Sequence, residues 1–99
     1  MQRDESQQIT VLHNEAEQRF EVHADGHIAH ADYVRSGRNI TFTHTEVPPE
    51  LEAHGIGTKL AQVALEFAKA QKLAVVVRCS FVSAFIRKHP EYQSLVAAS

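Results

Sequence analysis

Cysteine occurs once in this chain, at Cys79, and tryptophan not at all. A single cysteine excludes an internal disulfide, so packing alone must hold the fold, and secretion loses one argument. No run of about 20 apolar residues offers a membrane-spanning helix. The N-terminus, MQRDESQQ, is polar where a secretion signal would be apolar, and the expected location is cytoplasmic. An excess of positive charge is missing too. Ten Lys and Arg stand against twelve Asp and Glu, a formal net charge of −2, which disfavours nucleic acid and anionic membranes as partners. Glycine is sparse, and two of its four copies stand one residue apart in HGIGTK.

What remains is an ordinary globular composition, 43% hydrophobic and 22% charged, sufficient for one core. We read residues 1–8 as a polar tail and 9–99 as a single domain, in which any ligand lies largely in a surface groove. The first half has the period of strands. ITVLHN, QRFEVHA, HIAHADYVR and NITFTHTEV are predicted strands over 9–14, 18–24, 27–35 and 39–47, separated by NEAEQ, Asp25-Gly26 and Ser36-Gly37-Arg38 and stopped by Pro48-Pro49. Four sequential strands with short turns make an antiparallel meander.

After Pro49 the period changes. From Ile56, Leu60, Val63, Ala64, Phe67 and Ala68 recur at helical spacing, predicting a helix that lies on the sheet and ends near Lys72. LAVVV then reads as a strand buried on both faces and parallel to the fourth. Ser80 is placed to cap a last helix, with Phe81, Val82, Phe85 and Ile86 inward, and Tyr92, Leu95 and Val96 packing the tail back. The expected class is a mixed α+β fold, ββββ-α-β-α.

The stretch HGIGTK opens the first helix, where backbone N–H groups lack internal partners and the helix carries partial positive charge. Two bare residues there suit a phosphate held by the backbone; they equally suit a tight turn and close helix–sheet packing. The spacing matches neither a nucleotide-triphosphate loop nor a dinucleotide fingerprint, which need more glycines.

The strand order, the G-x-G helix start, and the blocks HTEVPPELEAHGIGTKL and CSFVSAFIRKHPEY resemble the GNAT superfamily of acetyl-coenzyme A-dependent N-acetyltransferases, and within it the small stand-alone proteins of about this length. The likeness covers nearly the whole chain. It implies that His54, Gly55, Ile56, Gly57, Thr58 and Lys59 hold the coenzyme A pyrophosphate, and that strands four and five splay apart around the pantetheine arm near Glu46 and Val47. It also implies that the thioester lies by Cys79 and Ser80. One position departs from the R/Q-x-x-G-x-G/A signature: Glu52 stands where Arg or Gln is usual, so phosphate charge must be balanced by Lys59, or by Arg87 and Lys88.

Acyl transfer needs a deprotonated nucleophile, an oxyanion donor and a proton source for the leaving thiolate. Two routes remain open. An acceptor amine attacks acetyl-coenzyme A directly, with Glu46 or His44 taking its proton, or Cys79 accepts the acetyl group first. Cys79 next to a helix start, with Arg78 beside it, sits where a thiolate is favoured; its alternative is a small buried hydrophobe. His44 and Glu46 have the alternative of a solvated strand face. The last helix lacks a tyrosine to protonate the leaving group. Seven histidines form no helical His-x-x-x-His pair, which disfavours a metal site. The acceptor is a small-molecule or peptide amine, the state monomer or homodimer, and the competing readings are a coenzyme A or acyl-coenzyme A binding module without turnover, or an interaction scaffold.

Overall fold

A computed structural model describes residues 9–97; the tail at 1–8 lies outside the described residues. Five strands form one sheet in chain order: β1 (Leu12–Asn14), β2 (Arg19–Ala24), β3 (His27–Ser36), β4 (Asn39–Glu46) and β5 (Ala74–Val77). The first four pair antiparallel, and β5 joins β4 in parallel. Asp25 and Gly26 both take positive φ, 52° and 76°, the geometry a two-residue hairpin turn needs.

Register places Phe20 opposite Ala31, Val22 opposite Ala29, Tyr33 opposite Phe42 and Ile40 opposite Val75. All are buried and share one face of the sheet. That face receives helix α1 (Ile56–Ala70), whose Leu60, Ala61, Ala64, Leu65 and Ala68 join the same core cluster, and helix α2 (Ser80–Lys88), through Val82, Phe85 and Ile86. The opposite face turns outward, with Leu12, Ile28 and Val34 exposed.

Glu21 is the exception on the outward face, only 5% exposed. Its carboxylate lies 2.8 Å from His23 Nε2 and accepts from Arg19 Nε at 2.6 Å and Asn14 Nδ2 at 3.0 Å. These partners, His23 foremost, hold its pKa down at about 2. The cluster ties β1 to β2.

Several sequence expectations need correction. α1 stops at Ala70, because Lys72 adopts φ 58° and closes the helix: Lys72 N–H donates to Lys69 O and Leu73 N–H to Ala68 O, a Schellman ending. Ser80 does not cap α2. Cys79, still extended, is the N-cap residue, Ser80 is already helical and exposed, and no side chain caps the helix. Phe81 is not inward but 40% exposed, since Val82, Phe85 and Ile86 occupy the buried side of a helix turning about 100° per residue. β5 is not buried on both faces; Val75 is buried, whereas Ala74, Val76 and Val77 are half-buried, because the helices pack on the Val75 side.

Two 3₁₀ segments were not anticipated, Pro49–His54 and Pro90–Leu95, each opened by proline. In the second, Tyr92 is buried and donates to Glu66 Oε2 at 2.6 Å, while Leu95 and Val96 pack against the core.

Two measurements check this account. Leu60→Ala leaves a cavity between α1 and the sheet and is expected to lower the unfolding free energy by about 2–5 kcal/mol in denaturant titration; a loss below about 1 kcal/mol would contradict the packing. Glu21→Gln removes a carboxylate whose pKa is lowered in the folded state from 4.5 to about 2, so its stabilisation is present above pH 4.5 and disappears as pH falls toward 2. The variant should be about 1–3 kcal/mol less stable at neutral pH, with the difference narrowing through that acid window.

Candidate active site

The β4–β5 ladder runs from Asn39–Ala74 to Phe42–Val77 and closes with Arg78 N–H donating to Phe42 O at 2.9 Å. β4 continues to Glu46 beside β3 only. The two parallel strands therefore part, and the β5-facing backbone of residues 43–46 has no ladder partner. A cavity of about 510 Å³ opens in the gap, lined by Thr45, Glu46, Val47, Glu52, Gly55, Gly57, Thr58 and Phe81.

A bulge decides which side chains enter it. Asp32 pairs with His44 but Tyr33 pairs with Phe42, so Thr43 is an extra residue, and its hydroxyl donates to Asp32 O at 3.3 Å. Strict alternation from Phe42 would turn His44 and Glu46 toward the core. The bulge instead turns Thr45 to the core face, opposite buried Ala31, and sends His44 and Glu46 outward. Thr45 Oγ1 then lies 3.2 Å from Cys79 Sγ.

The residues named from sequence separate accordingly. Cys79 is 7% exposed and reaches the cavity wall through Thr45. His44 and Glu46 share a face, with Nε2 and Oε1 3.4 Å apart and side chains 59% and 64% exposed. Glu46 lines the cavity at its rim; His44 instead lies beside His30, ring centroids 6.3 Å apart. Val47, Gly55, Gly57 and Thr58 line the cavity, whereas Ile56 is buried in the core and His54 lines a second cavity with Leu51 and Ile56. Ser80 is exposed at the start of α2 and outside the cavity lining.

The two glycines have different causes. Gly55 ends the 3₁₀ segment and begins α1 with φ 71°, a conformation that disfavours other residues. Gly57 has ordinary helical backbone, but a Cβ there would come 2.7 Å from the Phe81 ring. Its bareness accommodates an aromatic edge from α2. Lys59 N–H already donates to Gly55 O at 3.1 Å, so of the expected backbone donors it is engaged within the helix, leaving Ile56, Gly57 and Thr58 as first-turn donors without an i−4 carbonyl in α1.

Charge at the cavity is divided. Glu46 and Glu52 are its two ionisable lining groups, both carboxylates. Against them, the first turns of α1 and α2 carry no acidic side chain, and neither helix start has a side-chain cap, so both keep their partial positive charge for something else. Among the described residues no three His, Cys, Asp or Glu are grouped to hold a metal, and no helix is long and apolar enough to cross a membrane.

Thr45 was not found from the sequence, for a bulge leaves no mark on the alternation of NITFTHTEV. The Phe81–Gly57 contact was missed likewise, because it joins two helices distant in the chain.

Known proteins share this fold. A family profile described as GCN5-related N-acetyl-transferase matches residues 19–95. The protein NATD1 of Bos taurus is 32% identical over 91 residues, covering 88% of this chain and 80% of that protein, and NATD1 of Xenopus tropicalis is 28% identical over 96 residues, covering 93% and 87%. The solution structure of a GCN5-like protein from Staphylococcus aureus superposes with a TM-score of 0.71 at 26% identity, over 92% of this chain and 90% of that one. Parted strands, a glycine-started helix between them and a profile spanning both agree on one assignment: the chain belongs to the GCN5-related N-acetyltransferase family.

Proposed function

We propose that this protein transfers an acetyl group from acetyl-coenzyme A to an amine through Cys79, with the pyrophosphate held at the start of α1. The observation that carries the reading is that one cavity joins the uncapped α1 start at Gly55 and Thr58 to Thr45, which touches the cysteine sulfur. The fit to a phosphate rests on the Ile56, Gly57 and Thr58 N–H groups and on open space at Gly55, where nothing lies within 4 Å of an added Cβ. Lys59 contributes its ammonium rather than its backbone. Acetyl-coenzyme A, as substrate, brings a thioester whose carbonyl carbon is the electrophile; the β5-facing backbone of residues 43–46 suits its extended arm.

In the covalent route the Cys79 thiolate attacks that carbonyl carbon. A sulfur–carbon bond forms to Cys79, the carbon–sulfur bond to coenzyme A breaks, and the departing thiolate takes a proton from water. The acceptor amine then attacks the acetyl-cysteine, its proton passing to Glu46 at the cavity rim, and the Cys79 thiolate is regenerated. His44 touches Glu46 and not the cavity, so its contribution runs through that carboxylate. The acceptor is a small-molecule or peptide amine.

A second reading, a coenzyme A or acyl-coenzyme A binding module without turnover, is favoured by the two carboxylates lining the cavity. Two experiments separate the possibilities. Thr58→Glu sets a carboxylate in the first turn of α1, where the helix itself tolerates it, and is expected to weaken coenzyme A binding at least about tenfold in isothermal titration; unchanged affinity would remove the pyrophosphate from that site. Cys79→Ala is expected to keep that affinity within about threefold while abolishing acetyl transfer and the acetylated protein seen by mass spectrometry after mixing with acetyl-coenzyme A. Transfer that survives in Cys79→Ala would assign the direct route, and binding without turnover in the unaltered protein would assign the module.

A further inference from the structure

Cys79 has a polar neighbour that the acyl-transfer scheme above leaves unused. Thr45 Oγ1 lies 3.2 Å from Cys79 Sγ, and Thr45 itself lines the cavity, so the hydroxyl stands where the sulfur meets the open space. This contact exists only because of the bulge at Thr43, closed by the Thr43 hydroxyl on Asp32 O; without it Thr45 would point away from Cys79. A hydroxyl rotates freely between accepting from a thiol and donating to a thiolate. A hydrogen bond to a charged partner is stronger than one to a neutral partner, so a donor at this distance favours the ionised sulfur.

We propose that Thr45 is a positioning residue for Cys79: its hydroxyl orients the sulfur toward the cavity and donates to the thiolate, keeping the nucleophile in its reactive form. The inference deepens the reading of Cys79 as the acyl carrier and rests on it for its role in transfer. The helix start of α2 supplies partial positive charge, and Thr45 supplies the directed donor. The charged groups nearest the sulfur are Arg78, the chain neighbour of Cys79, and Glu46 and Glu52, which line the same cavity as Thr45; all are kept when only residue 45 is changed.

The test is the pH dependence of thiolate formation in Thr45→Val and Thr45→Ser, followed by ultraviolet absorbance and by the rate of iodoacetamide alkylation. One cysteine in the chain makes both signals unambiguous. Both tyrosines ionise above their usual range, Tyr33 through burial and Tyr92 through Glu66, with Tyr92 pushed up to about 12, which clears the absorbance window. Thr45→Val, of nearly the same shape, should move the profile to higher pH and cut the thiolate fraction at neutral pH about tenfold. Thr45→Ser, which keeps the hydroxyl, should stay within about twofold of the unaltered protein. A Val variant with the unaltered profile, or a Ser variant shifted as far as Val, would overturn the proposal, the latter assigning the effect to the lost methyl group. Circular dichroism checks folding, and Thr45→Ala serves as a second deletion of the hydroxyl if Val disturbs the strand. No coenzyme A enters the measurement. Failure of cofactor binding and failure of this contact are therefore read independently.

Discussion

Parallel strands joined by a crossover helix must stay paired to hold the sheet together, yet here β4 and β5 stay paired for only four residues each. Beyond Phe42 and Val77 the two diverge, and β4 relies on β3 for its remaining ladder. The rest of the site depends on that divergence. It leaves backbone polar groups facing a gap instead of a neighbour, and it opens the cavity wall that Thr45, Glu46 and Val47 share. It also brings the starts of α1 and α2 to the same opening, because each helix begins near the carboxyl end of the strand it follows. Such a gap is stable only because the core lies elsewhere, under α1, where Leu60, Ala64, Leu65 and Ala68 meet the paired part of the sheet.

The electrostatics of the opening follow from local rather than net charge. The chain is slightly acidic, and the cavity is lined by two carboxylates, yet both helix starts lack acidic residues and caps. An anion seated on the first turn of α1 experiences directed N–H groups at contact distance, whereas exposed Glu46 and Glu52 are screened by water. On the proposed reading those N–H groups receive the phosphate, with the Lys59 ammonium acting from outside the cavity lining. Phe81 lies across Gly57, so the open approach to the helix start is at Gly55 and Thr58. Family membership supports acetyl transfer in general terms, and the named residues carry the more specific proposal.

Much of the fold was legible because periodicity reports burial directly. Phe20 and Val22 are buried as their alternation implies, Leu60, Ala64 and Ala68 as their helical spacing implies while Val63 and Phe67 are only half-buried, and Asp25-Gly26 announces its turn. The site was legible only in part. Gly55, Gly57 and Thr58 can be read from HGIGTK, since the helix start and its glycines are adjacent in the chain. His44 could not be placed: it alternates with Phe42, and only the extra residue at Thr43 reveals that it faces outward. For the same reason Thr45 was invisible, although it makes the side-chain contact to Cys79.

By itself, then, the sequence determined the order of the five strands and two α-helices, the α+β class, the buried face of β2, and the position of the glycine-started helix. Those features depend on residues close together in the chain, where hydrophobic spacing and backbone preference act directly. Tertiary structure alone decided where β4 leaves β5, which way residues 44–46 turn, that Gly57 yields to Phe81, and that Thr45 meets Cys79 across 34 positions of chain. These are outcomes of register and packing between distant segments, and no local pattern encodes them.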